Sequence, residues 1–198
     1  MGQWQQLGSK KKKKLLDAMI RHLEKYCSRH PWAARLYTKL FEKMTIDEFA
    51  NVDLKKGTLI LDIGCGSLPH SFISLAKKRG WKFHGIDNDA DAIENAKRSI
   101  QNFKMKDVIT VEYADGLTYD VSTYDFIVMS HGVEPKIQIL EKLAAEMKPS
   151  AHVLYRTITK RLTKVYGDEP IPPSFDILWE YDRIDGIRSI LLAPRRKS

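Results

Sequence analysis

The stretch Leu59-Ile60-Leu61-Asp62-Ile63-Gly64-Cys65-Gly66 decides the fold, because a short apolar run leads directly into an acidic residue and a glycine turn. Short apolar runs bounded by turn residues are typical of strands buried in a parallel sheet. Glycine lets the backbone turn sharply after such a strand, and it lets a ligand approach without a Cβ in between. The segment therefore predicts a first strand with a nucleotide-sized crevice at its carboxyl end.

The glycine turn departs from the dinucleotide-binding pattern. That pattern, GxGxxG, requires a third glycine at position 69, where this chain has Pro69. Without that glycine, a pyrophosphate loses part of the helix N-terminus that would hold it. Asp62, just before the glycines, also favours a cationic ligand over a pyrophosphate.

From Gly57 onward, short apolar runs alternate with helical apolar patterns, which is typical of a parallel sheet built from βαβ units. The predicted strands cover residues 58–63, 82–87, 108–113, 126–130 and 152–156. The predicted helices cover residues 71–79, 90–103 and 136–147. Two further β-rich runs, 175–181 and 187–192, are joined by a turn-like segment and predict an antiparallel hairpin. The fold class is therefore α/β, with a doubly wound seven-stranded sheet that is mostly parallel.

Residues 1–56 predict a basic, helical N-terminal cap that precedes the sheet domain of residues 57–198. Apolar residues recur every three or four positions between Leu15 and Cys27, which predicts one helix, and a second helix is predicted to begin at Pro31. In the second helix, the spacing of Trp32 and other large apolar residues predicts that they pack in the core.

The positive charge is concentrated in the cap. The chain has 198 residues, with 33 Lys plus Arg against 25 Asp plus Glu, and a net charge of +8. The run Lys10–Lys14 and the basic helices after it predict a contact with a polyanion such as RNA. No apolar stretch is long enough to cross a bilayer, so no membrane contact is expected. Two cysteines are too few for a disulfide framework, which favours a cytoplasmic location. The oligomeric state stays open.

Polar residues follow each predicted strand at the carboxyl edge of the sheet. Asp87 and Asn88 end the second strand, where a carboxylate can accept hydrogen bonds from both hydroxyls of a ribose. Asp115 and Gly116 follow the third strand, where a carboxylate can accept a hydrogen bond from an adenine amino group. Ser130 ends the fourth strand. In this order, the strand ends predict a site for an adenosyl ligand.

The segments LDIGCG, GIDNDADAIENA, ADGL and YDFIVMSHG, within residues 55–192, resemble the class I S-adenosylmethionine-dependent methyltransferases. The resemblance implies a Rossmann-like fold with S-adenosylmethionine as cofactor and S-adenosylhomocysteine as product. It implies that Asp62, Gly64 and Gly66 hold the methionine portion of the cofactor, Asp87 the ribose and Asp115 the adenine. Leu68 replaces the third glycine that the family has in this loop.

Two finer resemblances leave the transferred group and the acceptor open. The segment from Gly66 to Ser71, the segment from Val133 and the closing run FDILWEY are similar to nicotianamine synthases, which transfer the aminocarboxypropyl group of the same cofactor. The loop and the basic N-terminus are also similar to the ribosomal RNA methyltransferases of aminoglycoside resistance. A cofactor-binding scaffold without activity, which contacts RNA or protein, is the third alternative. The prediction is a methyltransferase of unknown acceptor, with RNA as one candidate.

Residues at the loops of the carboxyl edge are the candidates for catalysis. His131 is the best placed general base, because its ordinary pKa lies near neutrality. Glu134 could pair with His131 or with an amine substrate, and His70 follows the cofactor loop. Tyr155 and Arg156 end the fifth strand, where they could bind a substrate carboxylate or phosphate. The histidines lack the spacing of a metal site, so no metal is predicted.

Overall fold

A computed structural model describes residues 18–163 and 169–195 of the chain. The first helix, α1, covers residues 18–29 of the described part. The other helices are α2 (Pro31–Glu48), α3 (His70–Arg79), α4 (Ala90–Asn102) and α5 (Lys136–Glu146). The strands are β1 (Leu59–Ile63), β2 (Lys82–Asp87), β3 (Ile109–Tyr113), β4 (Phe126–Met129), β5 (His152–Ile158), β6 (Phe175–Asp182) and β7 (Ile187–Pro194).

The seven strands form one sheet in the order β3-β2-β1-β4-β5-β7-β6. β1 pairs in parallel with β2 and β4, β3 extends the sheet beyond β2, and β5 extends it beyond β4. β7 lies antiparallel to both β5 and β6. The Rossmann-like sheet with its antiparallel hairpin is therefore confirmed, and the predicted element ends lie within two residues of those in the structure.

Local sequence signals explain where the helices of the sheet region begin and end. Asp89 caps α4, because its side chain accepts hydrogen bonds from the N–H groups of Asp91 and Ala92. Gly80 ends α3 in the left-handed conformation, with a φ of 66°. These signals place the start of α4 just after β2 and the end of α3 just before it.

Apolar side chains cover both faces of the sheet. On one face, helices α2, α3 and α4 contribute Ala34, Phe72 and Ile100 to a cluster that also contains Trp81 and Phe83. On the other face, α5 packs its apolar side chains on the sheet, with Tyr155 in the same cluster. The N-terminal helices therefore share a core with the sheet. The prediction of separate domains at 1–56 and 57–198 stays a prediction.

The prediction that the large apolar residues of α2 face the core is wrong for three of them, although Tyr37 does pack against the core. Trp32 is 64% exposed, Leu36 55% and Leu40 66%. The buried residues of α2 are instead Ala33, Ala34, Thr38, Thr45 and Glu48. The side of α2 that contacts the protein therefore combines these residues with Tyr37 and Phe41, whose rings lie against His70 at the start of α3.

A buried ionic network ties α2 to the sheet. The carboxylate of Glu48, which is fully buried, accepts two hydrogen bonds from Arg156 of β5, at 2.8 and 2.7 Å. It also accepts hydrogen bonds from Arg183 in the β6–β7 turn, at 3.3 Å, and from Ser189 of β7. Burial alone would raise the pKa of Glu48, but the charges and hydrogen bonds of Arg156 and Arg183 hold it below its ordinary value.

Lys10–Lys14, the predicted RNA contact, lie outside the described residues. Within residues 18–163 and 169–195, no helix combines the length and the apolar character that crossing a membrane requires. The cytoplasmic location stays a prediction.

We expect Glu48→Gln to lower the free energy of unfolding by about 3–5 kcal/mol, because it leaves the charges of Arg156 and Arg183 buried without a counter-ion. Urea unfolding followed by circular dichroism measures the change. Glu94→Gln removes an exposed carboxylate that pairs with Lys97 and serves as the control, with an expected change below about 0.5 kcal/mol. Equal losses in the two variants would contradict the role of the network.

Candidate functional site

The glycine turn after β1 is packed so tightly that there is no room for a side chain at Gly64 or Gly66. Gly64 and Gly66 have positive φ values of 82° and 67°. A Cβ on Gly64 would lie 2.4 Å from a methyl carbon of Val133. The N–H groups of Gly64 and Cys65 donate to the carbonyl of Ile86 at 2.8 and 3.1 Å, which ties the turn to the end of β2. These hydrogen bonds hold the turn in place at the carboxyl edge of the sheet.

Asp87, at the end of β2, is hydrogen-bonded directly to the glycine turn. One carboxylate oxygen accepts a hydrogen bond from the N–H of Gly66 at 2.9 Å, and the other accepts one from Asp89 at 2.9 Å. Burial raises the pKa of Asp87, although these N–H groups oppose the effect. The sequence predicted that Asp87 lies at the same sheet edge as the glycine turn, and in the structure the two are hydrogen-bonded.

Asp62 lies beneath the turn and is only 4% exposed. Its carboxylate accepts a hydrogen bond from the hydroxyl of Ser130 at 3.1 Å, so two predicted site residues are in contact. Burial raises the pKa of Asp62 to about 7, and the charge of Arg156 and the hydrogen bond of Ser130 only partly oppose this rise.

A third carboxylate, which the sequence did not single out, reaches the turn from α1. The Glu24 side chain accepts a hydrogen bond from the N–H of Leu68 at 3.2 Å. A Cβ on Gly66 would lie 2.7 Å from a Glu24 oxygen. Nothing in the local sequence distinguishes Glu24 from the other charged residues of α1, so its contact with the turn could not be predicted.

Three carboxylates thus converge on the turn, and the charge of Asp87 raises the pKa of both Asp62 and Glu24. Burial raises the pKa of Glu24 to about 7, the Leu68 N–H opposes the rise, and the charges of Asp87 and Asp62 add to it. Arg156 is the cation that acts on Asp62, but Glu48 already balances its charge. The turn is therefore surrounded by an excess of negative charge, which favours a cationic ligand.

The adenine side of the predicted site is more open. Asp115 is exposed, and its carboxylate accepts a hydrogen bond from the N–H of Leu117 at 2.9 Å. Asn88 is also exposed. Gly116 is buried, and a Cβ there would lie 2.8 Å from a side-chain carbon of Ile63. Their roles in holding an adenosyl group stay predictions.

His131 and Glu134 lie in the loop between β4 and α5, beside a buried polar cluster. In this cluster Lys136 forms an ion pair with Glu169, and the Tyr155 hydroxyl donates to Glu169 at 3.1 Å. Burial alone would raise the pKa of Glu169, but Lys136, Thr157 and the charge of His131 lower it. The structure places His131 near this cluster, and its role as a base stays a prediction.

Arg156 and His70, which the sequence offered as candidates for substrate binding and catalysis, are both occupied by contacts within the protein. The guanidinium of Arg156 is held by Glu48 and also donates to Ser71 at 3.1 Å, so the geometry does not support a contact with substrate. Burial and the charges of Arg156 and Arg183 lower the pKa of His70 to about 3. Its ring lies 5.3 Å from those of Tyr37 and Phe41. His70 is therefore neutral and packed among aromatic rings.

Replacing Glu24 by Gln should make stability less dependent on pH. A carboxyl group whose pKa is raised on folding destabilises the native state as the pH rises from its unfolded pKa, near 4.5, to its folded pKa, near 7. Relative to the wild type, Glu24→Gln should therefore gain about 3 kcal/mol in free energy of unfolding between pH 4 and pH 8. Urea unfolding at both pH values measures this, and a pH-independent difference would contradict the assigned burial.

The fold is shared with solved transferases of low sequence identity. MtNAS, a nicotianamine synthase solved in complex with S-adenosylmethionine, aligns at 17% identity with a TM-score of 0.83, over 92% of this chain and 76% of that chain. A SAM-dependent methyltransferase from Aquifex aeolicus aligns at 17% identity with a TM-score of 0.60, over 84% and 99% of the two chains. An RNA methyltransferase from Salinibacter ruber, in complex with S-adenosyl-L-homocysteine, aligns at 14% identity with a TM-score of 0.60, over 79% and 94%. No curated protein sequence is significantly similar.

The sequence also matches a family model described as Methyltransferase domain over residues 19–192. The match includes most of the N-terminal helices as well as the sheet. Together with the carboxylate-lined glycine turn, it supports S-adenosylmethionine as the cofactor. The chain therefore belongs to the methyltransferase-domain family of class I, S-adenosylmethionine-dependent transferases.

Proposed function

We propose that this chain transfers the methyl group of S-adenosylmethionine to the nitrogen of a small amine, with Glu24 as the general base. The observation that carries the proposal is the position of the Glu24 carboxylate, against the backbone of Gly66 and Leu68 in the cofactor turn. α1 brings this carboxylate over the crevice, where it would restrict access for a large folded acceptor. This favours a small acceptor over RNA.

The residues of the turn fit the cofactor. Gly64 and Gly66 have no side chain between their backbone and a ligand, and a Cβ on either would collide with Val133 or Glu24. Asp87 would accept hydrogen bonds from the ribose hydroxyls, and Asp62 would balance the ammonium of the methionine portion. The excess of negative charge suits a ligand that carries both an ammonium and a sulfonium. When bound, S-adenosylmethionine supplies an electrophilic carbon on that sulfonium.

Glu24 has the properties that an amine acceptor requires. An alkyl amine is protonated at neutral pH and must lose a proton before it can act as a nucleophile. A carboxylate with a pKa of about 7 can attract the ammonium form and accept that proton. The turn and α1 would hold the amine close to the reacting carbon, which lowers the entropic part of the barrier.

Transfer of the aminocarboxypropyl group is the second candidate. One observation favours it: the similarity to MtNAS covers 92% of this chain, against 84% for the Aquifex aeolicus methyltransferase. One MtNAS structure was determined in complex with MTA. The same carboxylates would serve this reaction, but the leaving product would be methylthioadenosine instead of S-adenosylhomocysteine.

The reaction can be tested by incubating the chain with S-adenosylmethionine and a panel of amino acids and polyamines, with total RNA as a separate acceptor. Chromatography of the nucleoside products identifies the transferred group. We expect S-adenosylhomocysteine to form with an amine, and Glu24→Gln to reduce turnover by about 100-fold because the base is lost. Glu94→Gln should keep wild-type turnover.

Methylthioadenosine as the product would replace the first candidate by the second. Wild-type turnover in Glu24→Gln would exclude Glu24 as the base, and His131→Gln would then test the residue that the sequence favours. Turnover with RNA but with none of the amines would contradict the small acceptor.

A further inference from the structure

Three aromatic rings form a cluster that we call the aromatic triad: Tyr37 and Phe41 of α2 and His70 at the start of α3. The ring centres of Tyr37 and Phe41 lie 4.7 Å apart, and each lies 5.3 Å from the centre of the His70 ring. Such separations are typical of aromatic rings in contact. The three side chains therefore form one continuous aromatic cluster.

The triad lies beside the Glu24 carboxylate and the end of the glycine turn. The N–H of Leu68 donates to Glu24 at 3.2 Å, and the carbonyl oxygen of Leu68 lies 3.4 Å from Nδ1 of His70. Glu24 and His70 thus contact the backbone of the same residue. Burial raises the pKa of Tyr37 and the charge of Glu24 adds to the rise, so Tyr37 is also close to Glu24.

The three rings are half-buried, unlike the aromatic side chains of the core. Phe72 is 1% exposed and Phe83 2%, whereas Tyr37, Phe41 and His70 each keep part of their surface accessible. Among the described residues, Phe41 belongs to neither of the two apolar clusters that cover the sheet. The triad is therefore an aromatic surface next to the turn that a small ligand can reach.

The triad itself carries no charge. Burial and the charges of Arg156 and Arg183 lower the pKa of His70 to about 3, so its ring is neutral at pH 7. Arg183 and Asp185 of the β6–β7 turn also act on Tyr37, but they form an ion pair with each other at 2.6 Å. A neutral aromatic surface with a carboxylate at its side suits an amine that is attached to an aromatic ring through a short chain.

We propose that the aromatic triad determines the acceptor, and that this acceptor is a small arylalkylamine; the inference rests on the proposed amine methylation. The aromatic ring of the amine packs on Tyr37 and Phe41, and its nitrogen lies at Glu24. Glu24 takes a proton from the ammonium, the freed lone pair of the nitrogen forms the N–C bond, and the electrons of the broken S–C bond stay with sulfur. Aromatic rings attract one another beyond the gain from apolar area, so a saturated ring binds less tightly.

Binding of the amine can be measured without turnover, by calorimetric titration of the full chain saturated with S-adenosylhomocysteine at pH 7. Phenethylamine is the aromatic probe, and 2-cyclohexylethylamine is the matched probe, because it has the same chain length and a saturated ring. We expect phenethylamine to bind at least about threefold more tightly. With S-adenosylmethionine in place of the product, the KM values of the two amines should differ in the same direction.

Two variants of α2 test whether the triad causes this preference. Phe41→Leu removes one ring of the triad but keeps an apolar side chain, so it should abolish the preference for phenethylamine. Trp32→Leu removes a ring of the same helix that is 64% exposed and lies outside the triad, so it should keep the preference. Both variants should bind S-adenosylhomocysteine as the wild type does, which shows that the fold and the cofactor site are intact.

Equal binding of the two amines to the wild type would overturn the inference, and so would a preference that Phe41→Leu and Trp32→Leu change equally. Failure of the proposed function looks different. Methylation of both amines with equal KM values would keep the proposed reaction and exclude the triad as the determinant of the acceptor. Preferential binding of phenethylamine without methylation of any amine would keep the triad as an amine site and contradict the proposed reaction.

Discussion

The candidate site depends on the excess of negative charge that three carboxylates create around one glycine turn. Asp62, Asp87 and Glu24 come from β1, β2 and α1, and all three lie where burial raises their pKa. Carboxylates in such a place are stable when a cation or protons accompany them. In the absence of ligand, bound protons supply part of the positive charge that compensates these carboxylates. A sulfonium with an attached ammonium would supply it when the cofactor binds.

The N-terminal helices complete this arrangement from two sides. α1 brings Glu24 to the turn, and α2 brings Glu48 to Arg156, which lies close enough to Asp62 to influence its pKa. Because Glu48 holds Arg156 in two hydrogen bonds, the guanidinium is fixed near Asp62 but balances only part of its charge. The helices are therefore part of the site and share the core of the sheet.

The sequence predicted the sheet well because its signals are local. Apolar strands that end in glycine or aspartate, followed by helical patterns, specify βαβ units without reference to distant residues. The same locality placed Asp87 beside the turn and Ser130 near Asp62. Neither Glu24 nor the partner of Arg156 could be identified in this way, because the contacts join residues far apart in the chain.

The apolar periodicity of α2 gave the wrong orientation for a physical reason. A hydrophobic pattern identifies the apolar side of a helix, but a helix that packs closely against another prefers small residues at the contact. In α2 the contact side holds Ala33, Ala34 and Thr38, and Trp32, Leu36 and Leu40 point outward.

The central claim, that a cationic cofactor replaces protons at these carboxylates, can be tested by calorimetric titration with S-adenosylmethionine at pH 7. Repeating the titration in buffers of different ionisation enthalpy gives the number of protons exchanged on binding. The account predicts release on the order of half a proton per bound cofactor, since the cation lowers carboxyl pKa values that lie near 7. Binding without proton release, or with proton uptake, would contradict it.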